Sequence, residues 1–189
     1  MFAVFEQYLQ SKASFTPAEI EHIKAASVVR TLRKRQYLLQ AGDVWQSNAF
    51  VASGCLRTYS IDAKGLEHII GFAVENWWAT DQESLLSGQP SRYNIEATED
   101  TTVVMLKNDD FERLRREVPA FDKVVNTLVL RTFMAAQSRV HSAISYSAEE
   151  KYREFLQKYP GLVQRIPQHM VASYLGLTAE TLSRIRRQL

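Results

Sequence analysis

A chain of 189 residues with 46% hydrophobic and 23% charged side chains has a globular composition, with room for one large domain or a medium domain plus a small one, which excludes wholesale disorder. Its single cysteine, Cys55, excludes an intramolecular disulfide framework and any multi-cysteine zinc or iron–sulfur centre within one chain, and no apolar run nears the ~20 residues of a membrane span. The net charge of +2, taken whole, speaks against a nucleic-acid partner. The first six residues lack the basic and then apolar pattern of a signal peptide, so a reduced, cytoplasmic protein without a membrane partner is expected.

Phe2 to Leu9 reads as a short helix. A second starts at Thr16-Pro17-Ala18-Glu19, where Thr16 is an N-cap, Pro17 suits the first helical position and Glu19 completes a capping box. Five of the seven glycines lie between positions 42 and 88, which marks the middle of the chain as turns and short strands. Runs near Leu32, Tyr37–Leu39, Ala49–Val51 and Cys55–Tyr59 are β-prone, and Asp62-Ala63-Lys64-Gly65 reads as a hairpin loop before His68–Ala73. Tyr93–Ala97 and Thr102–Leu106 complete a set of short strands expected to form an antiparallel β-barrel or jelly roll, an α+β chain once the helices are added. The pair Trp77-Trp78 is expected to pack the barrel against the long dimer helix that follows, the sharper alternative being to stack a ligand base.

Asn108-Asp109-Asp110 is read as the cap of a short helix, Phe111–Glu117, ending at Pro119. From about Ala120 to Ser145 runs one long helix in which Val125, Val129, Phe133, Ala136 and Val140 step by four or three residues into an apolar stripe. A helix of this length projecting from a small barrel points to a coiled-coil homodimer, the alternative being packing within its own chain; Arg131 and Arg139 fall near the seam. Ser147-Ala148-Glu149-Glu150 is a second capping box, opening a helix over Ala148–Lys158, so the organisation expected is 1–118, 119–146 and 147–189.

The final stretch from Ile166 reads as a helix-turn-helix. Pro167 starts the first helix, with Met170, Val171 and Leu175 on its buried face. Gly176 sits at the turn and Thr178 caps the second helix, 179–189, whose Leu182 and Ile185 face inward. Ala179, Glu180, Ser183, Arg184 and Arg187 then face outward. Arginine can donate twice to guanine and glutamate can accept from cytosine in the major groove; Arg186, Arg187 and His169 are placed for phosphates. Residues 151–189 carry seven basic and two acidic side chains, a balance of +5 that leaves −3 for residues 1–150, an asymmetry found in nucleic-acid and membrane-surface binders. It also fits a solvated arginine-rich helix. In a dimer the tail would present about +10 to DNA.

On these segments the chain resembles the Crp/Fnr family of bacterial transcription factors, most of all a short-chain subgroup common in Bacteroidetes-type regulators. Leu38-Leu39-Gln40-Ala41-Gly42-Asp43 is similar to the family's early strand and glycine turn, Phe50 to Arg57 to its next hairpin, and Leu177 to Ile185 to its recognition helix. The resemblance implies a sensor barrel like a cyclic-nucleotide-binding domain, a dimer helix and a DNA-binding domain, with double-stranded DNA, a second copy and RNA polymerase as partners. It places Glu180 and Arg184 at base-reading positions, with Ala179 where many members have arginine. Most members continue into a β-hairpin wing; the chain stops at Leu189, and no wing is expected. The family's phosphate-binding Gly-Glu pair aligns with Ala79-Thr80 and its Arg-Ser pair falls near Ser91-Arg92. Asp81 and Glu83 add negative charge where a phosphate would sit, which argues against cyclic AMP; Arg92 is expected to substitute for the family's arginine, or to pair at the surface with Glu96 or Asp81. The ligand is left unidentified, an iron–sulfur cluster is excluded by the lone cysteine, and no metal site is expected. The alternative is a cupin-like metal-dependent enzyme, but His22, His68, His141 and His169 are scattered and no Ser-His-Asp or Cys-His set is placed for catalysis, so no catalytic residue is assigned.

Overall fold

The computed structural model describes residues 1–188, which divide into two compact units: 1–60 with 71–129, and 61–70 with everything from residue 130 onward. Among the described residues no helix is long and apolar enough to cross a membrane.

The first unit opens with α1 (Phe2–Gln10) and α2 (Pro17–Ala25). The capping box of α2 is formed: the Glu19 amide donates to the Thr16 hydroxyl at 3.3 Å, and the Thr16 amide donates to the Glu19 carboxylate at 2.7 Å. That backbone bond holds the Glu19 carboxyl below its ordinary pKa. The strands follow as β1 (Ser27–Leu32), β2 (Tyr37–Leu39), β3 (Ser47–Ser53), β4 (Leu56–Ile61), β5 (Glu67–Ala73) and β6 (Trp78–Ala79). After a short helix α3 (Gln82–Ser87) come β7 (Asn94–Ala97) and β8 (Thr101–Lys107), then α4 (Asn108–Glu117) and α5 (Pro119–Ser145). The strands form two sheets, ordered β1-β8-β3-β6 and β2-β7-β4-β5. The expected barrel is therefore a jelly roll of two separate four-stranded sheets, not a closed cylinder.

Strands β3 and β8 are buried on both faces. Ala49, Val51 and Val103 point into the roll, against Leu32, Leu38, Trp45, Leu56 and Ile95. The alternate residues Phe50, Ala52, Val104 and Leu106 point outward and meet Phe5 and Leu9 of α1, Ile23 of α2, Phe111 and Leu114 of α4, and Phe121, Val124 and Val125 of α5. Trp78 joins this outer layer, its ring 5.5 Å from Phe5, 5.6 Å from Phe50 and 5.9 Å from Phe111. Trp78 thus packs sheet against helices, but its ring contacts are with α1 and α4 and not with the long helix that was expected, and Trp77 lies at the surface. One sequence reading is corrected. Helix α4 starts directly after β8, with Lys107 as N-cap and no side-chain cap, because Asn108 is already helical.

The second unit comprises the distal part of α5, then α6 (Ala148–Lys158), α7 (Leu162–Arg165), α8 (Gln168–Leu175) and α9 (Ala179–Gln188), together with residues 61–70 at the tip of the β4–β5 hairpin. Ser147 and Glu150 form the second capping box, with bonds of 3.3 and 2.8 Å. Tyr152, Phe155, Leu162, Ile166, Val171, Ala172, Leu182 and Ile185 make the core. The hairpin tip closes on Asp62, which accepts from the Lys64 and Leu66 amides at 2.8 and 3.0 Å. Its carboxyl is held below the ordinary value, chiefly by the hydrogen bond to His68. Ser173 of α8 then grips the tip, donating to the Glu67 carbonyl and accepting from the Ile69 amide, both at 3.0 Å.

One glycine is fixed by close approach. At Gly54, between β3 and β4, φ is +92°, and a Cβ would come within 2.5 Å of the Thr101 hydroxyl and 2.6 Å of the Asp100 carbonyl. Gly54→Ala is expected to cost at least about 2 kcal/mol, from left-handed backbone strain plus displacement of the β7–β8 turn. Urea unfolding measures it; a cost within 0.5 kcal/mol of zero, roughly the size of an ordinary surface change, would contradict the packing described.

Candidate nucleic-acid interface and sensor segment

The helix-turn-helix is built by its turn. Gly176 adopts φ +67°, the left-handed conformation that ends α8, and the Leu177 amide returns to the Ala172 carbonyl at 2.9 Å. Thr178 caps α9, accepting from the Thr181 amide at 3.1 Å. Pro167 is the N-cap of α8, not its first residue, and Ala172 with Val171 forms the buried face where Leu175 was expected; Leu175 and Met170 are half-buried. Packing α8 on α9 at these small side chains turns Leu182 and Ile185 inward. Of the residues read as DNA-facing, His169, Thr178, Ala179, Glu180, Arg184, Arg186 and Arg187 are exposed and Ser183 is half-buried. Arg187 donates to Ser183 at 3.4 Å. Among the described residues no carboxylate pairs with Arg184, Arg186 or Arg187. Residue 189, the last of the expected recognition helix, lies outside the described residues.

On α5 the expected stripe divides. Val125 is 3% exposed and packs in the core of the first unit, because the first turns of the helix cover the outer face of β3 and β8. Val129, Phe133, Ala136 and Val140 are exposed, Phe133 by 64%, and Leu130, Met134 and Ile144 share that exposure. These last three were missed because steps of four and three residues were followed from Val125 along one stripe, where the apolar face is wider than that stripe. Arg139, expected near the seam, turns its side chain away from the apolar stripe: it reaches the carbonyls of Ile69 at 3.3 Å and Tyr174 at 3.4 Å, and its guanidinium sits 4.2 Å from the Tyr174 ring.

The sensor segment brings Asp81 and Ser91 together and leaves Arg92 outside. Asp81, 6% exposed, is the N-cap of α3. One carboxylate oxygen accepts from the Glu83 and Ser84 amides at 3.1 and 3.3 Å, and the other accepts from the Ser91 hydroxyl at 2.6 Å. Backbone amides at this place in the family pattern would face a phosphate; here a carboxylate of the chain itself takes them. The segment is laced to the turn after β2. Gly42 donates to the Ser91 carbonyl and Ser91 to the Asp43 carbonyl, each at 2.8 Å, while Trp45 donates from its ring to the Thr80 hydroxyl at 3.2 Å. Ala79 is buried on β6. Arg92 is exposed and paired with Glu83, not with Glu96 or Asp81.

Glu96 has another partner, which sequence reasoning missed. The strand register sets Glu96 of β7 opposite Tyr37 of β2 and Arg57 of β4. Arg57 donates to its carboxylate at 2.7 and 3.3 Å and Tyr59 at 3.2 Å, and the Tyr59 and Tyr37 hydroxyls lie 3.2 Å apart. Burial, reinforced by Tyr37 and by the Glu96 charge, pushes the Tyr59 phenol well above its ordinary pKa. An arginine and a glutamate in facing strands were the available signal, but only the register shows that they meet. Among the described residues no three His, Cys, Asp or Glu side chains converge as metal ligands, so the set a cupin-like enzyme requires is not assembled.

The family model for the cyclic nucleotide-binding domain matches residues 29–117. The transcriptional activator protein anr of Pseudomonas aeruginosa is 25% identical over 170 residues, covering 82% of this chain and 68% of its own. The nitrogen fixation regulation protein FixK of Bradyrhizobium diazoefficiens is 29% identical over 153 residues, covering 75% of this chain and 63% of its own. Among solved structures, FixK2 from Bradyrhizobium japonicum superposes with a TM-score of 0.74 at 22% identity, over 86% of this chain and 84% of that one.

Asp81→Ala is expected to destabilise the protein by roughly 1–3 kcal/mol, because it strands two amides and a buried hydroxyl at once. Urea unfolding of the variant against the parent measures this, and an unchanged midpoint would show that the Asp81 bonds carry no net stability.

Proposed function

Because the chain belongs to the Crp/Fnr family, we propose that it is a DNA-binding transcription regulator working as a homodimer, with residues 1–118 as sensor, 119–146 as dimer helix and 147–189 as the DNA-binding domain. The observation that carries this reading is the pair of open faces: three arginines and a glutamate exposed on α9 without ion-pair partners among the described residues, and an apolar face on α5 left bare from Val129 to Ile144. Large exposed apolar faces on a helix are covered by a partner, and a second identical helix is the partner a symmetric regulator supplies. A two-fold dimer would set two copies of α9 about one DNA turn, ~34 Å, apart for adjacent major-groove half-sites. Arg184 and Glu180 read bases in this arrangement; Arg186, Arg187 and His169 hold phosphates, and Ser183, Thr178 and Ala179 line the approach. RNA polymerase is the natural further partner of such a regulator.

The experiment is a DNA-binding assay on an operator selected from random oligonucleotides, run with sedimentation at micromolar concentration. Arg184→Ala is expected to weaken operator binding about ten- to a hundredfold. Phe133→Glu is expected to shift the protein to monomer and to weaken binding with it. A parent protein that sediments as a monomer, or an Arg184→Ala variant with full affinity, would overturn the reading.

The sensor segment is proposed not to take cyclic AMP. A cyclic phosphate would have to displace Asp81 from the α3 amides and leave that buried carboxylate unpaired, and Arg92 is committed to Glu83 at the surface. Calorimetric titration with cyclic AMP and cyclic GMP is expected to show no micromolar binding. Micromolar binding that is lost in Arg92→Ala would overturn this.

A further inference from the structure

In the second unit a groove of about 380 Å³ runs between the distal part of α5, helix α6 and the end of α8. Helix α5 turns 100° per residue, which sets Ser138 and Ser142 opposite Phe133 and Val140, with Arg139 and Ala143 at the edge of the bare apolar face. The groove therefore adjoins the face assigned above to the second copy but is lined by a different set of α5 residues.

Its lining is a particular mixture. Arg139, Lys151 and Lys158 converge on it, against the single carboxylate of Glu154, while Phe155 and Tyr174 give it an aromatic wall. Arg139 is held in place by two carbonyls and the Tyr174 ring. The Lys151 ammonium donates to the Ala143 carbonyl at 3.1 Å, and Glu154 accepts from the Ser138 hydroxyl at 3.3 Å. Lys158 lies 3.5 Å from the Tyr174 hydroxyl. Cations in a concave site bordered by aromatic surface focus a positive potential, and charge-assisted bonds to an anion are stronger than bonds to the neutral carbonyls that Arg139 and Lys151 now reach. The volume falls in the range of small-molecule sites.

We infer that this groove binds a small organic anion, a carboxylate or phosphate carried on an apolar body, with Arg139, Lys151 and Lys158 holding the charge and Phe155 and Tyr174 packing the body. The site lies outside the sensor segment and against α8, the first helix of the helix-turn-helix. An anion there gives the regulator a second input, one that acts on the DNA-binding unit without passing through the roll.

The test is calorimetry of the full chain with three probes: phenyl phosphate, benzoate and inorganic phosphate. Phenyl phosphate or benzoate is expected to bind about tenfold more tightly than inorganic phosphate, since only the first two can use the aromatic wall. Which of the two is tighter assigns the charged group. The double variant Lys151→Gln/Lys158→Gln is expected to lose at least about tenfold, and Arg184→Ala/Arg187→Ala, which alters cations on α9, to keep the affinity. Circular dichroism of both variants establishes that they are folded. Absence of binding by all three probes would overturn the inference, as would equal binding of inorganic phosphate and the aromatic anions. It would also be overturned by an unchanged affinity in the lysine variant, or by equal losses in the two variants, which would mark a diffuse charge effect. The α9 variant also separates this inference from the DNA-binding reading, because its failure on DNA leaves the anion affinity intact.

Discussion

Burial of strands β3 and β8 on both faces is the constraint from which the arrangement of the helices follows. Such strands need apolar cover above and below. The roll supplies one side, through Leu32, Trp45, Leu56 and Ile95. The other side demands helices, and four are recruited: α1, α2, α4 and the first turns of α5. That demand explains why α5 behaves as two helices in one. Its beginning is spent on Phe50 and Val104. The rest continues without a break, with neither glycine nor proline to stop it, and exposes an apolar face that its own sheet has no surface left to cover.

The same roll fixes what its sensor segment can accept. A carboxylate that is already part of the chain competes for the α3 amides at the high effective concentration of an intramolecular group, where a free phosphate must pay the entropy of binding. The Asp81 carboxylate also takes the Ser91 hydroxyl, so the turn after β2, the cap of α3 and the approach to β7 are tied through one side chain. The trade is rigidity against ligand response. A segment closed by its own residue does not need an anion to become ordered.

Much of this was legible in the sequence where the signal was local. Both capping boxes, the Asp62–Gly65 turn and the Gly176 turn sit where residue type alone put them, because each is settled by a side chain and a backbone within four residues. The long helix and its apolar residues were legible from periodicity. Whether a given apolar residue meets the chain's own sheet or is left bare was not, and so Val125 and Val129, one turn apart, have opposite fates. The partners of Glu96 and Arg92 were equally hidden, because charge pairing in a sheet depends on register between strands that are distant in sequence. Asp81 shows the middle case. Its negative charge was read as unfavourable to a phosphate, but its role as the helix cap that replaces one needed the geometry.

Charge partition is sharpened in the same way. The balance of +5 over residues 151–189 treats all seven cations as one field, yet the structure separates them. Arg153 is spent on Glu149 at 2.7 Å, and Lys151 and Lys158 turn into the groove beside α5. What remains on the exposed side of α9 is Arg184, Arg186 and Arg187, with Glu180 among them. In the proposed dimer α9 therefore contributes about +4 of the +10 that doubling the tail suggested, and the salt dependence of binding, which counts phosphates neutralised, scales with this smaller set. In the proposed dimer, affinity would then come less from bulk electrostatics than from holding two such helices at a fixed spacing, and the bare face of α5, which a second copy would cover, would be as important to DNA binding as the arginines themselves.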